Sequence, residues 1–546
     1  MSDDRLAQSP YFSFLGSALR HRNLLTAGLL LALVAVHLFG ILRFGCARID
    51  GAVYFLLDDD VMISMQYGKN LAAGEGLVHN VGERVEGFTN PLLTFFAATI
   101  HLLPVQRSLL PLFIDLLNLA LSACILLMLI TFWGKGPEDL LSGFIAAAFY
   151  ITLPHHTFFS HTGFEVYLLI AILLYSIVRI ESRSRLDAII LGLLPLTHGT
   201  ALVLWVVLLL AKIVVVKLDV GKRLFLLAFS ALPLVAYEIF RLIYYRDFVP
   251  NTFWLKVGAG SIWLGQLYLR QWVVLVLPLA LLGSFVLFVT RSRKADVLAI
   301  AAISHCLVVI NIGGDIFPQY RFLFPISVLL VLLAGRGTVG LWKRISCLSN
   351  QAGRHWLLAG VALCVAFAAI YRPVQDYRTN KPLYDYNKRW SVGHVTLGKA
   401  IRENTKRGST VAVFSLGYIG YYADRRMIDM LGKIDRHIAR MKPIPGRLIG
   451  HNKEDFDYVL GLRPDLIQLN ISPDELLNRE LLKVISAGPS GYHADLAQNE
   501  VFEKQYSPNP ILDTRRRFVQ FYASAPSAEW QVSEEVSALQ KKWKLP

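Results

Sequence analysis

Asp58-Asp59-Asp60-Val61-Met62-Ile63-Ser64-Met65-Gln66-Tyr67 is the stretch that decides how the rest of the chain is read. Three consecutive carboxylates follow a long apolar segment, Leu24 to Leu42, which is long enough to span a bilayer. Charge beside a membrane is expensive and is kept where it has a use. The polar stretch continues through Gly74-Glu75-Gly76, Glu83-Arg84-Val85-Glu86-Gly87 and Thr89-Asn90-Pro91 before apolar residues resume. This loop reads as half of a functional site.

The composition is that of a membrane protein. Of 546 residues, 54% are hydrophobic and only 17% charged, against about 25% charged in soluble domains. The mean hydropathy is +0.46. A net charge of +15 would suit a nucleic acid, but the basic residues cluster in short loops between apolar runs, where they act as topology signals. No nucleic-acid partner is expected. Cys46, Cys124, Cys306, Cys347 and Cys364 lack metal-ligand spacing. No cysteine lies beyond 364, so the C-terminal part needs no disulfide even outside the cytoplasm. The first apolar run reads as a span rather than a cleavable signal peptide.

Arg20-His21-Arg22 precedes that run, which puts residues 1–23 in the cytoplasm as a tail and the acidic loop, 43–90, outside. Pro91 to Leu103 falls short of the ~20 residues a span requires. As an interfacial helix it leaves the basic loop Arg179-Ile180-Glu181-Ser182-Arg183-Ser184-Arg185 inside, where its charge belongs. Further spans are expected at 109–132, 140–157, 164–180 and 186–196, then on to 216, and at 224–244, 271–289, 297–311, 322–335 and 356–371. Arg291-Ser292-Arg293-Lys294 and the group Arg336, Lys343 and Arg344 are then inside as well.

Residues 373–546 read as a soluble α/β domain on the outer side. Val411–Leu416, Tyr458–Leu460 and Asp465–Leu469 have strand patterns, with helical stretches at 393–405 and 474–486. The expected fold class is therefore a polytopic α-helical membrane protein with about eleven transmembrane helices plus interfacial helices. A membrane core over 24–372 would carry a C-terminal soluble α/β domain.

This topology gathers polar residues on the outer face: Asp58–Asp60, Glu83, Glu86, Thr89, Asn90, His155, His156, His161, Glu165, His198, Asn251, Lys256, Asp315 and Arg321. A carboxylate there could deprotonate a hydroxyl, and a lysine or arginine could hold a phosphate. A carboxylate pair could share a proton or bind a divalent cation, the one cofactor left open. Blander roles compete. One of Asp58–Asp60 could cap a helix, and the three histidines lack metal geometry and suit interfacial packing. Lys256 and Arg321 could anchor lipid headgroups. Gly74-Glu75-Gly76 and Gly313-Gly314 mark turns and lack the spacing of a nucleotide loop.

The segment from Asp59-Asp60 through Gly74-Glu75-Gly76, Glu83-Arg84-Val85-Glu86-Gly87 and Thr89-Asn90-Pro91 resembles the first outer loop of the GT-C glycosyltransferases. It is most similar to the branch of the mycobacterial terminal arabinofuranosyltransferases. Thr162-Gly163-Phe164-Glu165, Pro250-Asn251-Thr252, Gly314-Asp315 with Arg321, and Gly417 to Tyr422 with Asp429 and Asp435 extend the resemblance.

The resemblance implies an inverting glycosyltransferase of the cell envelope in a bacterial inner membrane. It would move a sugar such as arabinofuranose from a polyprenyl phosphate to a glycan, lipid or protein on the outer, periplasmic face. Asp59 or Asp60 would be the general base. Lys256 and Arg321 would face the phosphate, and Glu165 and Asp315 the sugar hydroxyls. Glu86, Thr89, Asn90, His198 and Asn251 complete the substrate-binding candidates. The sequence departs from the family at Asp58, at Gln66, at Thr197-His198-Gly199 in place of Arg-Pro-Glu, and at Gly432-Lys433-Ile434-Asp435 in place of Gly-Leu-Thr-Asp.

A transporter or flippase of lipid-linked saccharides is the alternative. It predicts polar residues through the span centres and related halves, neither of which the sequence displays. A binding or assembly protein with a degenerate core is a third reading, which the intact acidic loop opposes.

Overall fold

The computed structural model describes residues 21–216, 219–256, 262–289, 292–348, 351–445, 447–469, 492–509 and 520–524. The expected tail up to residue 20, the stretch 257–261 of the outer loop and the expected helix 474–486 lie outside the described residues. The chain divides into two compact units. The first holds residues 1–45, 112–236 and 261–385, and the second holds 46–111, 237–260 and 386–546. The expected boundary at 372/373 falls within a single helix, Gln351–Asn404.

Seven helices among the described residues are long and apolar enough to cross a membrane: Arg22–Arg43, Leu110–Thr131, Gly199–Val216, Val220–Tyr244, Ile262–Leu287, Arg293–Asn311 and Pro318–Arg344. The protein is a multi-pass membrane protein. All eleven expected spans fall on helices; seven meet that standard and three are too short for it. Pro137–Ile151 has 15 residues and Val166–Val178 has 13, which at ~1.5 Å per residue falls short of a ~30 Å hydrocarbon layer. The expected span 186–196 is two short helices, Arg185–Gly192 and Leu194–Thr197, with Pro195 in the second. The stretch 356–371 runs within Gln351–Asn404.

In the first unit Pro318–Arg344 is the most enclosed helix, with 83% of its apolar window buried against 22–44% for the others. Small residues allow this. A Cβ on Gly335 would stand 2.4 Å from the Ser142 carbonyl oxygen, and one on Gly337 would stand 1.9 Å from that of Leu282. Close backbone approach is the main source of helix association where lipid is as apolar as the side chains.

The second unit opens with a hairpin of β1 (Cys46–Ile49) and β2 (Ala52–Phe55), paired antiparallel. Its turn residues, Asp50 and Gly51, both have positive φ, 49° and 78°, as an Asp-Gly two-residue hairpin demands. Helix Asp59–Ala72 follows and lies against the short apolar helix Pro91–His101. Gly68 makes that contact possible, since a Cβ there would meet the Ala98 nitrogen at 2.6 Å.

The later part of this unit is a five-stranded sheet built from β3 (Thr410–Val413), β4 (Arg426–Asp429), β5 (Leu466–Leu469), β6 (Tyr506–Asn509) and β7 (Gln520–Ser524), in the order β4-β3-β5-β7-β6. Strand β3 pairs parallel with β4 and β5, while β7 pairs antiparallel with β5 and β6. Its core includes Phe414, Ile428, Met430, Phe456, Val459, Ile467 and Phe502. The α/β expectation holds for this sheet. Tyr458–Leu460, expected as a strand, is instead part of helix Phe456–Gly461. Asp455 starts that helix by accepting from the Tyr458 amide at 3.0 Å, and three apolar residues cannot distinguish the two states by periodicity.

Candidate functional site

The three carboxylates have three different positions. Asp58 is the N-cap of helix Asp59–Ala72, and its side chain accepts from the Asp60 amide at 3.1 Å. The capping role expected of one of the three thus falls on the residue that is extra relative to the family. Asp59 accepts from the backbone amides of Gly417 at 3.2 Å and Tyr418 at 2.9 Å, at the start of helix Leu416–Ala423. This is the positive end of a helix, where a carboxylate is favoured. Gly417 is required for that approach, because a Cβ would stand 1.9 Å from the Asp59 carbonyl oxygen. Burial pushes the Asp59 carboxyl up, against the pull of Lys433 and the two amides.

Asp60 points elsewhere. Its Oδ1 accepts from Lys433 Nζ at 2.6 Å, and its side chain keeps 36% exposure while that of Lys433 keeps 14%. Burial alone would depress the lysine, but Asp60, Asp59 and Asp429 outweigh it and raise its pKa, so the ammonium stays charged.

Lys433 is held by a rigid loop. Asp429 is 1% exposed and accepts from the amides of Leu431 at 2.9 Å and Ile434 at 2.8 Å. Gly432 turns with φ 85°. From the other side the Asn251 side-chain amide donates to the carbonyls of Gly432 at 2.8 Å, Lys433 at 3.1 Å and Asp435 at 3.0 Å. The Asn251 backbone amide in turn donates to the Glu86 carbonyl at 2.9 Å. Two motifs far apart in sequence, Pro250-Asn251-Thr252 and Gly432 to Asp435, are thus one hydrogen-bonded object.

Several substrate-binding candidates turn out to be committed to the protein itself. Glu86 is 3% exposed, and its carboxylate accepts from Tyr237 Oη at 2.7 Å and from Arg241 Nε at 2.6 Å. A buried carboxylate needs such partners, and Glu86 thereby clamps its loop to Tyr237 and Arg241. Burial raises its carboxyl and Arg241 opposes that. Asn90 accepts from Ser64 Oγ at 2.8 Å and fixes the entry to helix Pro91–His101. Asn251 holds the Lys433 loop, as described. Thr89 is half-buried and Lys256 is exposed at the end of helix Asn251–Lys256. Lys256 lies near enough to His451 that, after burial and Lys433, it helps depress the ring to about 4.

The first unit holds the other candidates. Arg321 and Asp315 form a two-pronged pair at 2.8 and 3.2 Å, both side chains 6% exposed. The guanidinium lies over Phe164 at 4.4 Å and Phe317 at 4.5 Å. Glu165 is buried at the start of helix Val166–Val178. His198 caps the short 3-10 turn Gly199–Ala201, accepting from the Thr200 amide at 3.3 Å, so it has a local structural role. His155 stacks on Phe324 at 4.5 Å, and His156 bonds Tyr167 Oη at 3.0 Å and the Tyr150 carbonyl at 2.9 Å. These histidines pack, as expected.

Among the described residues no group of three or more His, Cys, Asp or Glu could hold a metal ion. The Lys433 ammonium supplies positive charge beside Asp59 and Asp60.

Sequence reasoning missed Lys433, Arg241 and Tyr237. Lys433 had a signal, because it stands where the family motif has leucine. Arg241 had a weaker one, as a charge near the end of an otherwise apolar span.

Residues 378–522 match a family profile described as a domain of unknown function, DUF8728. A terminal β-(1→2)-arabinofuranosyltransferase of Mycobacterium tuberculosis is 33% identical over 255 residues, covering 41% of this chain and 40% of the relative. The counterpart in Corynebacterium glutamicum is 32% identical over 139 residues, 20% of each chain. The matched part therefore spans less than half the length of either relative.

Among solved structures, ArnT from Cupriavidus metallidurans matches with a TM-score of 0.54 at 14% identity, covering 91% of this chain and 98% of that one. The archaeal oligosaccharyltransferase AglB from Archaeoglobus fulgidus matches at 0.51 and 13%, covering 89% and 73%. The chain thus shares its fold with ArnT and AglB, and over part of its length it is similar in sequence to terminal β-(1→2)-arabinofuranosyltransferases.

Proposed function

We propose that the protein is an inverting membrane glycosyltransferase that moves a sugar from a polyprenyl phosphate to a hydroxyl of a cell-envelope glycan, lipid or protein. Arabinofuranose is the sugar that the similar enzymes' name suggests. Support for a lipid-phosphate donor comes from the fold neighbours, since ArnT has been solved bound to undecaprenyl phosphate and AglB with a dolichol-phosphate and an inhibitory peptide. The setting proposed is a bacterial inner membrane, with the N-terminus in the cytoplasm and the acidic loop and C-terminal part outside.

The observation that carries this reading is the division of labour between Asp59 and Asp60. Asp59 spends both oxygens on backbone amides, while the Asp60 side chain is 36% exposed and meets the Lys433 ammonium. Asp60 is therefore the general base, and Asp59 anchors the helix that frames it. As the acceptor oxygen attacks the anomeric carbon, Asp60 takes its proton. The bond from that carbon to the phosphate oxygen breaks with its electron pair, releasing polyprenyl phosphate and inverting the centre. Lys433 orients the Asp60 carboxylate, and Lys256 at its exposed helix end is the candidate contact for the phosphate.

The experiment is to incubate the purified, detergent-solubilised protein with a small panel of polyprenyl-phosphate sugars and an acceptor glycan, then identify the products. Sugar release or transfer with at least one donor supports the reading. Intact donors throughout would remove it.

A further inference from the structure

The second unit contains a cavity of about 480 Å³ lined by Glu83, Arg84, Arg426, Asp435, Arg436 and Tyr458, among others. Its size lies within the roughly 300–1,000 Å³ of small-molecule sites. None of the roles assigned so far uses it.

Its chemistry is distinctive. Three acidic residues (Glu83, Asp435 and the buried Asp429) and three arginines (Arg84, Arg426, Arg436) line it, so formal charge cancels. Arg426 Nε bonds Glu83 Oε1 at 2.5 Å, with 47% and 38% of the two side chains exposed. Tyr458 Oη donates to Asp435 Oδ2 at 3.0 Å, and its ring lies 4.3 Å from that of His437. The floor is fixed. Asn80 exchanges two hydrogen bonds with the Met427 backbone, at 2.8 and 3.0 Å, and also donates to Glu83 at 2.9 Å.

A site for phosphate or a lipid headgroup would show an excess of cations. This lining instead alternates fixed acceptors and donors beside two rings tilted 35° to each other, an arrangement that suits neighbouring hydroxyl groups on a neutral ring. The loop Asp429–Asp435 connects it to the chemistry: Lys433 meets Asp60, and two residues on Asp435 lines the cavity.

We propose that this cavity binds a neutral oligosaccharide segment of the acceptor glycan. The proposal rests on the glycosyltransferase reading and gives the acceptor its docking site.

The test is calorimetric titration of the full-length protein in detergent with a neutral arabinofuranose oligosaccharide, and separately with inorganic phosphate. Glu83→Gln, Arg426→Gln and Tyr458→Phe alter the wall with little change in volume. Wild type should bind the oligosaccharide, and each variant should weaken it about tenfold, the effect of one lost charge-assisted or neutral hydrogen bond. Variants that bind as wild type does would overturn the proposal. So would uptake of phosphate without the oligosaccharide, or of neither. Donor breakdown by wild type, measured separately, decides the glycosyltransferase reading on its own. Its absence beside variant-sensitive oligosaccharide binding would leave a glycan-binding protein with this cavity intact.

Discussion

The ammonium of Lys433 lies 2.6 Å from Oδ1 of Asp60, although the two residues are 373 positions apart in the chain. That single pair joins the acidic helix to the loop Asp429–Asp435, and it puts a fixed cation beside Asp60, while Asp58 and Asp59 accept from backbone amides. Lys433→Met should lower turnover by about 10²-fold, the usual effect of removing one charged group from a preorganised site. Lys433→Arg keeps the charge and should retain more activity than methionine. Turnover of a polyprenyl-phosphate sugar by both variants checks this, and equal activity in wild type and Lys433→Met would contradict it.

Asn251 acts on the same site through the backbone. Its amide serves three carbonyls of the Lys433 loop, so Asn251→Ala should cost about 1–3 kcal/mol and lower turnover. Asn251→Asp should be worse than alanine, because a carboxylate would face those carbonyl oxygens with no proton to donate. Unfolding midpoints and turnover, measured together for the two variants, test the order.

Glu86 and Arg241 form a nearly dry ion pair, with side chains 2% and 9% exposed. Breaking such a pair from one side leaves a buried charge. Arg241→Ala should therefore destabilise the protein by about 3–5 kcal/mol. Restoring neutrality with Glu86→Gln on that background should recover part of the loss. Thermal unfolding in detergent compares the two.

Two buried histidines of the second unit predict acid sensitivity. Burial pushes His79 down to about 3, with Lys69 adding to the effect and Asn80 opposing it. His451 falls to about 4 through burial, Lys433 and Lys256, against the pull of Asp60 and the Ile449 backbone. Both rings are neutral in the fold, and the unfolded chain takes up protons first, near 6.5. Their contribution is thus present above about pH 6.5 and is lost as pH falls toward 4 and then 3. Melting temperature should drop below pH 6.5, and His79→Gln should flatten part of that slope.

Much of this was legible in the sequence where physics acts locally. Apolar runs located seven of the spans, and the length of the run 91–103 matched the short helix Pro91–His101. The acidic run gave both the cap and the candidate base. What the sequence hid was long-range pairing. Glu86, Asn90 and Asn251 had the residue types of substrate ligands, yet each satisfies a buried protein group, a choice that depends on partners 26 to 184 residues away. Tyr458–Leu460 was too short to separate strand from helix, and only the Asp455 cap decides it. Three expected spans were drawn by hydropathy across residues whose helices stop early.

The central claim is that Asp60 is the base of a polyprenyl-phosphate-dependent transfer. Its most direct test is product formation by wild type and Asp60→Asn with the donor that wild type consumes, under one set of conditions. The account predicts a loss of at least about 10²-fold in Asp60→Asn with the folded state retained. Undiminished transfer by Asp60→Asn would contradict it.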